Sequence, residues 1–252
     1  MRNTLLTISF LLLLTQCHIH HKFNTSKNEI MGYDIPVQGY FPKGFGEKNE
    51  KFPLILWLHG AGERGNDNVN QIKHVYPFLI SNSVQDSFPC VVIAPQCPKD
   101  DYWAPVKRFE WTWQNRGKVT NSMKEVIHII EDLLKDDRID KNRIYVVGFS
   151  MGGFGTLDLL SRRPEWFAGA IDISGGADLT KVPRYAHIPL WVFHGQKDDV
   201  VPITLSEQLI TAIRKEHGSP RYTVYAEGNH VIWDSVITEK GLMSWLFSQK
   251  RR

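Results

Sequence analysis

From residue 53 onward the chain alternates short, continuously apolar runs with longer stretches in which apolar residues recur every three or four positions. The runs are "PLILWLHG", "CVVIAPQ", "RIYVVGFS", "FAGAIDISGG", "IPLWVFHG" and "RYTVYAEG". Most are rich in Val and Ile and lack polar alternation, the pattern of parallel strands covered on both faces. Between them, Met123, Val126, Ile127, Ile130, Leu133 and Leu134 mark one face of an amphipathic helix. A second helix is predicted from about Thr204 to His217, with Leu205, Leu209, Ile210 and Ile213 inward. Gly218 is placed as its left-handed terminator, and Pro220 prevents continuation. "HVIWDSVITEKGLMSWLF" predicts a final helix with Gly241 as its weak point. Ahead of residue 53, "GYDIPVQGYFPKGF" reads as one or two antiparallel edge strands. The β-α-β-α order predicts an α/β fold with a mostly parallel central sheet and helices on both faces.

Composition bounds this picture. With 252 residues, 42% of them hydrophobic, the chain can bury a full core, and no repeat or composition break divides it. The net charge of +3 is scattered, so no nucleic-acid partner is predicted. At the start, Met1-Arg2-Asn3 is followed by an apolar run from Leu5 to Leu14 and then "LTQC". The run is short for a membrane span but fits a signal peptide. "LTQC" resembles the lipobox of bacterial lipoproteins, with Gln16 where a smaller residue is usual. Residues 1–17 are therefore expected to be a signal peptide with lipidation at Cys17, residues 18–28 a polar tether containing "HIHH", and 29–252 a single exported domain. A lipid anchor would be its membrane contact; an uncleaved anchor and a soluble secreted protein are the alternatives. Cys90 and Cys97 bracket a predicted strand whose ends lie about 20 Å apart, too far for a disulfide. They are expected to be free thiols, and no motif predicts a metal. The least regular region, about 98–118, is long and aromatic, as functional loops are.

The chemistry is suggested by Gly148-Phe149-Ser150-Met151-Gly152. G-x-S-x-G alone is a weak signal, but here it stands between a predicted strand and a predicted helix, as a nucleophile elbow requires. A serine hydroxyl needs a base, and that base an acid. After the strand "IPLWVFHG" the loop carries Asp198 and Asp199; after "RYTVYAEG" it carries His230. The order Ser, Asp, His is that of the α/β-hydrolases.

"LWLHGAGERG", "GFSMGGFGT", "VFHGQKDDVVP" and "GNHVIW" together resemble the serine-esterase branch of the α/β-hydrolases. That branch includes polyhydroxybutyrate depolymerase-like and feruloyl or acetylxylan esterase-like proteins and relatives described as predicted peptidases or dienelactone hydrolase-like. The resemblance covers nearly all of the chain after about residue 35. It implies the α/β-hydrolase fold, a catalytic Ser150, Asp198 and His230, and an oxyanion hole from the backbone N–H groups of Ala61 and Met151. Asp199 is the rival for the acid. The implied reaction is acyl transfer through Ser150 without a cofactor, on a small-molecule or carbohydrate-linked ester. Trp103, Trp111 and Trp113 of the long loop, and Trp233, suit aromatic acyl groups or sugar rings, with core packing as the alternative. Glu63 and Arg64 either touch substrate, pair with each other or hold the oxyanion loop. A serine peptidase of prolyl oligopeptidase-like type is the nearest alternative function, and a catalytically silent binding module a more distant one.

Overall fold

A computed structural model describes residues 23–24, 29–47, 50–113 and 118–251. The expected signal peptide, Cys17 and nearly all of the tether lie outside the described residues. Along the chain run β1 (Phe23–Asn24), β2 (Glu29–Ile30), β3 (Val37–Tyr40), β4 (Phe52–Leu58), α1 (Val75–Leu79), α2 (Asn82–Gln85) and β5 (Val91–Pro95). There follow β6 (Val106–Lys107), β7 (Thr112–Trp113), α3 (Asn121–Leu133), β8 (Ile139–Phe149), α4 (Met151–Arg162), β9 (Gly169–Ile173) and β10 (Leu190–Gly195). The chain ends with α5 (Thr204–Lys215), β11 (Arg221–Tyr225), α6 (Trp233–Ile237) and α7 (Leu242–Ser248). Nine strands form one sheet in the order β1-β2-β3-β5-β4-β8-β9-β10-β11. The six from β5 to β11 are mutually parallel, and β1 to β3 add an antiparallel edge.

All six predicted apolar runs are strands of the parallel part. Every residue of β4, β5, β9 and β10 is buried, because each face carries its own apolar layer. Leu54, Leu56 and Leu58 of β4 point to one layer with Met123, Val126, Ile129 and Ile130 of α3 and Leu157 and Leu160 of α4. Ile55 and Trp57 point to the other, with Val75 and Leu79 of α1 and Leu242 and Leu246 of α7. The alternation follows from the two-residue period of a strand. β11 forms the far edge and is only partly buried.

Helix ends follow local chemistry. The Thr120 hydroxyl accepts the Met123 N–H at 3.2 Å, capping α3. At the end of α5 the left-handed residue is His217, with φ +61, rather than Gly218. Gly218 is needed for a different reason: a Cβ there would lie 2.2 Å from the Ala186 carbonyl oxygen. Gly241, at φ +81, divides the predicted final helix into α6 and α7. Cys90 and Cys97 are buried free thiols, each pushed up to about 12 by burial.

The register sets the site. Leu58 pairs with Gly148, Phe149 with Ile173, and Gly195 with Tyr225. The loops carrying Ala61, Ser150, Asp198 and His230 therefore all leave the carboxyl ends of neighbouring parallel strands.

Candidate active site

Ser150 joins β8 to α4 with φ 54° and ψ −117°, a left-sided conformation that costs a non-glycine residue roughly 1–3 kcal/mol. Two backbone bonds hold it there: Ser150 N–H donates to the Ile173 carbonyl at 2.8 Å, and Phe154 N–H donates to the Ser150 carbonyl at 3.1 Å. The flanking glycines are dictated by space. A Cβ at Gly148 would lie 2.1 Å from the Gly152 carbonyl oxygen, and one at Gly152 would lie 1.8 Å from that of Leu58.

His230 Nε2 lies 2.8 Å from Ser150 Oγ, and its Nδ1 lies 2.8 Å from Asp198 Oδ2. With the proton on Nδ1, the ring donates to the carboxylate and presents a lone pair to the serine hydroxyl. Asp199 is exposed and takes no part in this chain of bonds. Asp198 also accepts the backbone N–H groups of Val200 and Val201, at 2.9 and 2.8 Å. Burial pushes its carboxyl up, but bonds from His194, His230 and the Val201 N–H outweigh burial and hold it well below the ordinary carboxylate range.

His194, at the end of β10, is fully buried behind this acid. Its Nε2 lies 3.1 Å from Asp198 Oδ2 and 2.9 Å from the Val201 carbonyl oxygen, while Nδ1 lies 2.7 Å from Ser206 Oγ. Two acceptors at Nε2 require the proton there, so the Ser206 hydroxyl donates to Nδ1. A second imidazole thus holds the acid from behind. His194 stands within the motif that located Asp198, but its residue type did not distinguish it from a core histidine.

Ala61 and Met151 meet Ser150 at one open cleft, whose walls also include Tyr102, Val106, Arg108, Trp111, Phe154, Val200 and Val201. Met151 opens α4, so its N–H belongs to the first-turn donors that have no acceptor within a helix. Ala61 opens a single 3-10 turn, Ala61–Glu63. Burial pushes His59 down to about 4, leaving a neutral ring. Its Nε2 accepts the Cys97 N–H at 3.0 Å, so Nδ1 carries the proton and donates to the Gly60 carbonyl at 2.6 Å. The Ala61 N–H, on the opposite side of the same peptide plane, is turned away from His59.

Three of the candidate substrate contacts, Trp103, Trp233 and Glu63, occupy other places. Trp103 is fully buried, and its Nε1–H donates to the His59 carbonyl at 3.0 Å; it is core, holding the strand end beneath the oxyanion loop. Trp233 does not line this cleft: it stacks on His74 at 4.1 Å and meets the Phe149 ring edge-on at 4.8 Å. Glu63 faces His74 Nε2 at 3.2 Å, also off the cleft, so it holds the loop. Trp111 is the loop tryptophan that reaches the wall, stacked 5.6 Å from Phe154. Sequence reasoning also missed Phe154 and Val201, whose apolar character matches ordinary core.

One strand behind the elbow, Asp172 pairs in register with Gly148 and is fully buried, with neither carboxylate oxygen hydrogen-bonded. Burial pushes it up to about 7, opposed in part by His194. Gly153 and Gly175 leave it room: a Cβ on either would fall 2.3 or 2.1 Å from Asp172 Oδ1. Among the described residues no group of three or more His, Cys, Asp or Glu side chains is arranged to hold a metal.

Comparison with known proteins agrees with the fold. The phospholipase/carboxylesterase family model matches residues 46–239. The crystal structure of a thermostable esterase superposes with a TM-score of 0.80 at 35% identity, covering 90% of this chain and 64% of that one. The bifunctional acetylxylan esterase/xylanase of Neocallimastix patriciarum is 31% identical over 193 residues, covering 75% of this chain and 25% of that protein. A poly(3-hydroxyalkanoate) depolymerase of Paucimonas lemoignei is 33% identical over 127 residues, covering 49% of this chain and 28% of its own length. The chain thus spans little more than a quarter of these two curated relatives.

Proposed function

Because the chain belongs to the phospholipase/carboxylesterase family, with the α/β-hydrolase fold, we propose that it is a serine hydrolase of carboxylic esters. The observation that carries the proposal is the unbroken chain Ser150 Oγ, His230, Asp198, with 2.8 Å at each step. As Ser150 Oγ attacks the ester carbonyl, its proton passes to His230 Nε2, and the ionised Asp198 steadies the imidazolium. The carbonyl oxygen, now negative, meets the N–H groups of Ala61 and Met151, each of which contributes on the order of 3 kcal/mol to such a transition state. His230 then protonates the leaving alcohol, leaving an acyl group on Ser150. Water, deprotonated by His230, releases the acid and restores the serine. Apart from substrate and water, these steps call on groups of this chain.

The cleft walls of Tyr102, Trp111 and Phe154 favour flat or short acyl groups, including those carried by carbohydrates. We also propose that the domain is exported and tethered by a lipid at Cys17, on the sequence pattern given above.

A substrate comparison tests the activity. p-Nitrophenyl acetate and methyl ferulate are expected to be hydrolysed and a peptide p-nitroanilide to be cleaved slowly or not at all. A peptide anilide turned over faster than both esters would reverse the assignment in favour of a peptidase.

A further inference from the structure

The two-stranded hairpin β6–β7 stands over the nucleophile, and its tip carries Arg108, Phe109, Glu110 and Trp111. Trp111 is seated on Phe154, which packs in a small cluster with Ala104 and Val201, so the tip is anchored to the cleft wall. Two of its residues lie in the left-handed region, Phe109 at φ +68 and Trp111 at φ +52. Phe109 is 72% exposed. The ring meets Trp111 edge-on at 6.4 Å, and the Arg108 guanidinium lies 4.5 Å from its centroid. The ring thus gives the cation a platform.

Among the described residues Arg108 is the one charged side chain that lines the cleft holding Ser150, and no carboxylate of theirs pairs with it. The acid of the same turn, Glu110, is engaged by Lys107. Asp199, adjacent in sequence to the lining Val200, is not part of the wall. A second guanidinium, that of Arg64, lies 4.6 Å from the centroid of the ring of Tyr102, which also lines the cleft. It donates to the carbonyls of Ala61, Lys99 and Asp101 and has no carboxylate partner among the described residues. Among the described residues, two cations without a carboxylate partner therefore stand at this cleft, Arg108 in its wall and Arg64 behind the lining Tyr102. A planar guanidinium matches a carboxylate with two parallel bonds, and a cleft lined with one sign of charge concentrates the opposite sign of ligand.

Resting on the esterase reading, we propose that the substrates are esters bearing a carboxylate, and that Arg108 is the specificity residue that receives it. An uncharged ester would leave that cation facing solvent; a hemiester of a dicarboxylic acid, or an ester of an acidic alcohol, would pair with it.

The test compares matched charged and neutral esters at low salt. On the acyl side the pair is p-nitrophenyl hemiglutarate and its methyl ester; on the alcohol side it is 4-acetoxybenzoate and its methyl ester. The wild-type protein should favour the charged member of at least one pair in kcat/KM. Arg108→Gln should lower that charged-to-neutral ratio about fivefold, as for a single solvent-facing ion pair; Arg108→Glu should invert it. Addition of 0.5 M NaCl should erode the preference in the wild type and leave Arg108→Gln unaffected. Which pair responds reports the side on which the carboxylate sits. Ratios that are equal in the wild type and Arg108→Gln for both pairs, or a wild-type preference for both neutral members, would overturn the proposal. Hydrolysis of neither member of either pair would instead count against the esterase reading.

Discussion

In the proposed mechanism the Ser150 hydroxyl is ordinary chemistry made reactive by its neighbours, and the less obvious neighbour is His194. Its Nε2–H completes four donors on the Asp198 carboxylate, with His230 Nδ1 and the N–H groups of Val200 and Val201. A carboxylate so surrounded has one rotamer and stays ionised at every pH at which the protein would work, so Asp198 itself should impose no acid limit on turnover. On the proposed mechanism the role of His194 is positioning: it fixes the carboxylate oxygen that holds the His230 ring. His194→Leu should lower kcat about tenfold, the scale of one hydrogen bond to a charged group, with KM within twofold. His194→Gln, which can still offer an N–H to Asp198, should recover part of the loss. Equal losses in both variants, tracking a common fall in Tm, would mean that the residue only packs.

The elements were legible from the sequence to the extent that their apolar pattern was unambiguous. Continuous apolar runs such as Leu54–Leu58 and Leu190–Phe193 can be satisfied only between two helical layers, so the strands and their parallel arrangement followed. The spacing of glycine, serine and glycine between β8 and α4 located the elbow for the same reason: backbone atoms crowd those positions. Side chains whose roles depend on long-range packing were not legible. Trp103 and Trp111 stand in the same aromatic loop, yet one is sealed beneath the strand ends and the other walls the cleft. Nothing in their local spacing separates them. Helix terminators were read by residue type, which identified Gly241 but assigned to Gly218 the left-handed turn that His217 makes. At Gly241, where a Cβ would meet only Ser244 Oγ at 3.6 Å, the cost of a side chain is purely conformational. Gly241→Ala should therefore destabilise the fold by about 1 kcal/mol, visible as a drop of a few degrees in Tm, with kcat/KM unchanged.

At the scale of the whole molecule, the sheet gathers the loop ends at one edge and closes an unpaired acid into its interior. Asp172 has a folded-state pKa raised to about 7 from an ordinary 3.8, chiefly by burial. The folded state thus keeps a proton that the unfolded chain releases. Below about pH 4 both states hold it and this group imposes no pH dependence. Between about 4 and 7 the stability it permits falls as pH rises, by about 1.4 kcal/mol per unit, and above 7 the slope vanishes. Urea unfolding as a function of pH should resolve this slope in the wild type and lose it in Asp172→Asn. A wild-type slope unchanged by the substitution would show that Asp172 is not the group responsible. Two apolar layers, one on each face of the sheet, hold the strands that carry these loops.

The central claim is that Ser150 is an activated nucleophile, and the most direct measurement is covalent labelling by a fluorophosphonate followed by peptide mass mapping. Rapid, stoichiometric modification of Ser150 is predicted, abolished in Ser150→Ala and slowed by orders of magnitude in an otherwise folded His230→Ala. An unlabelled Ser150 in the folded protein, or labelling that persists at another residue in Ser150→Ala, would contradict it.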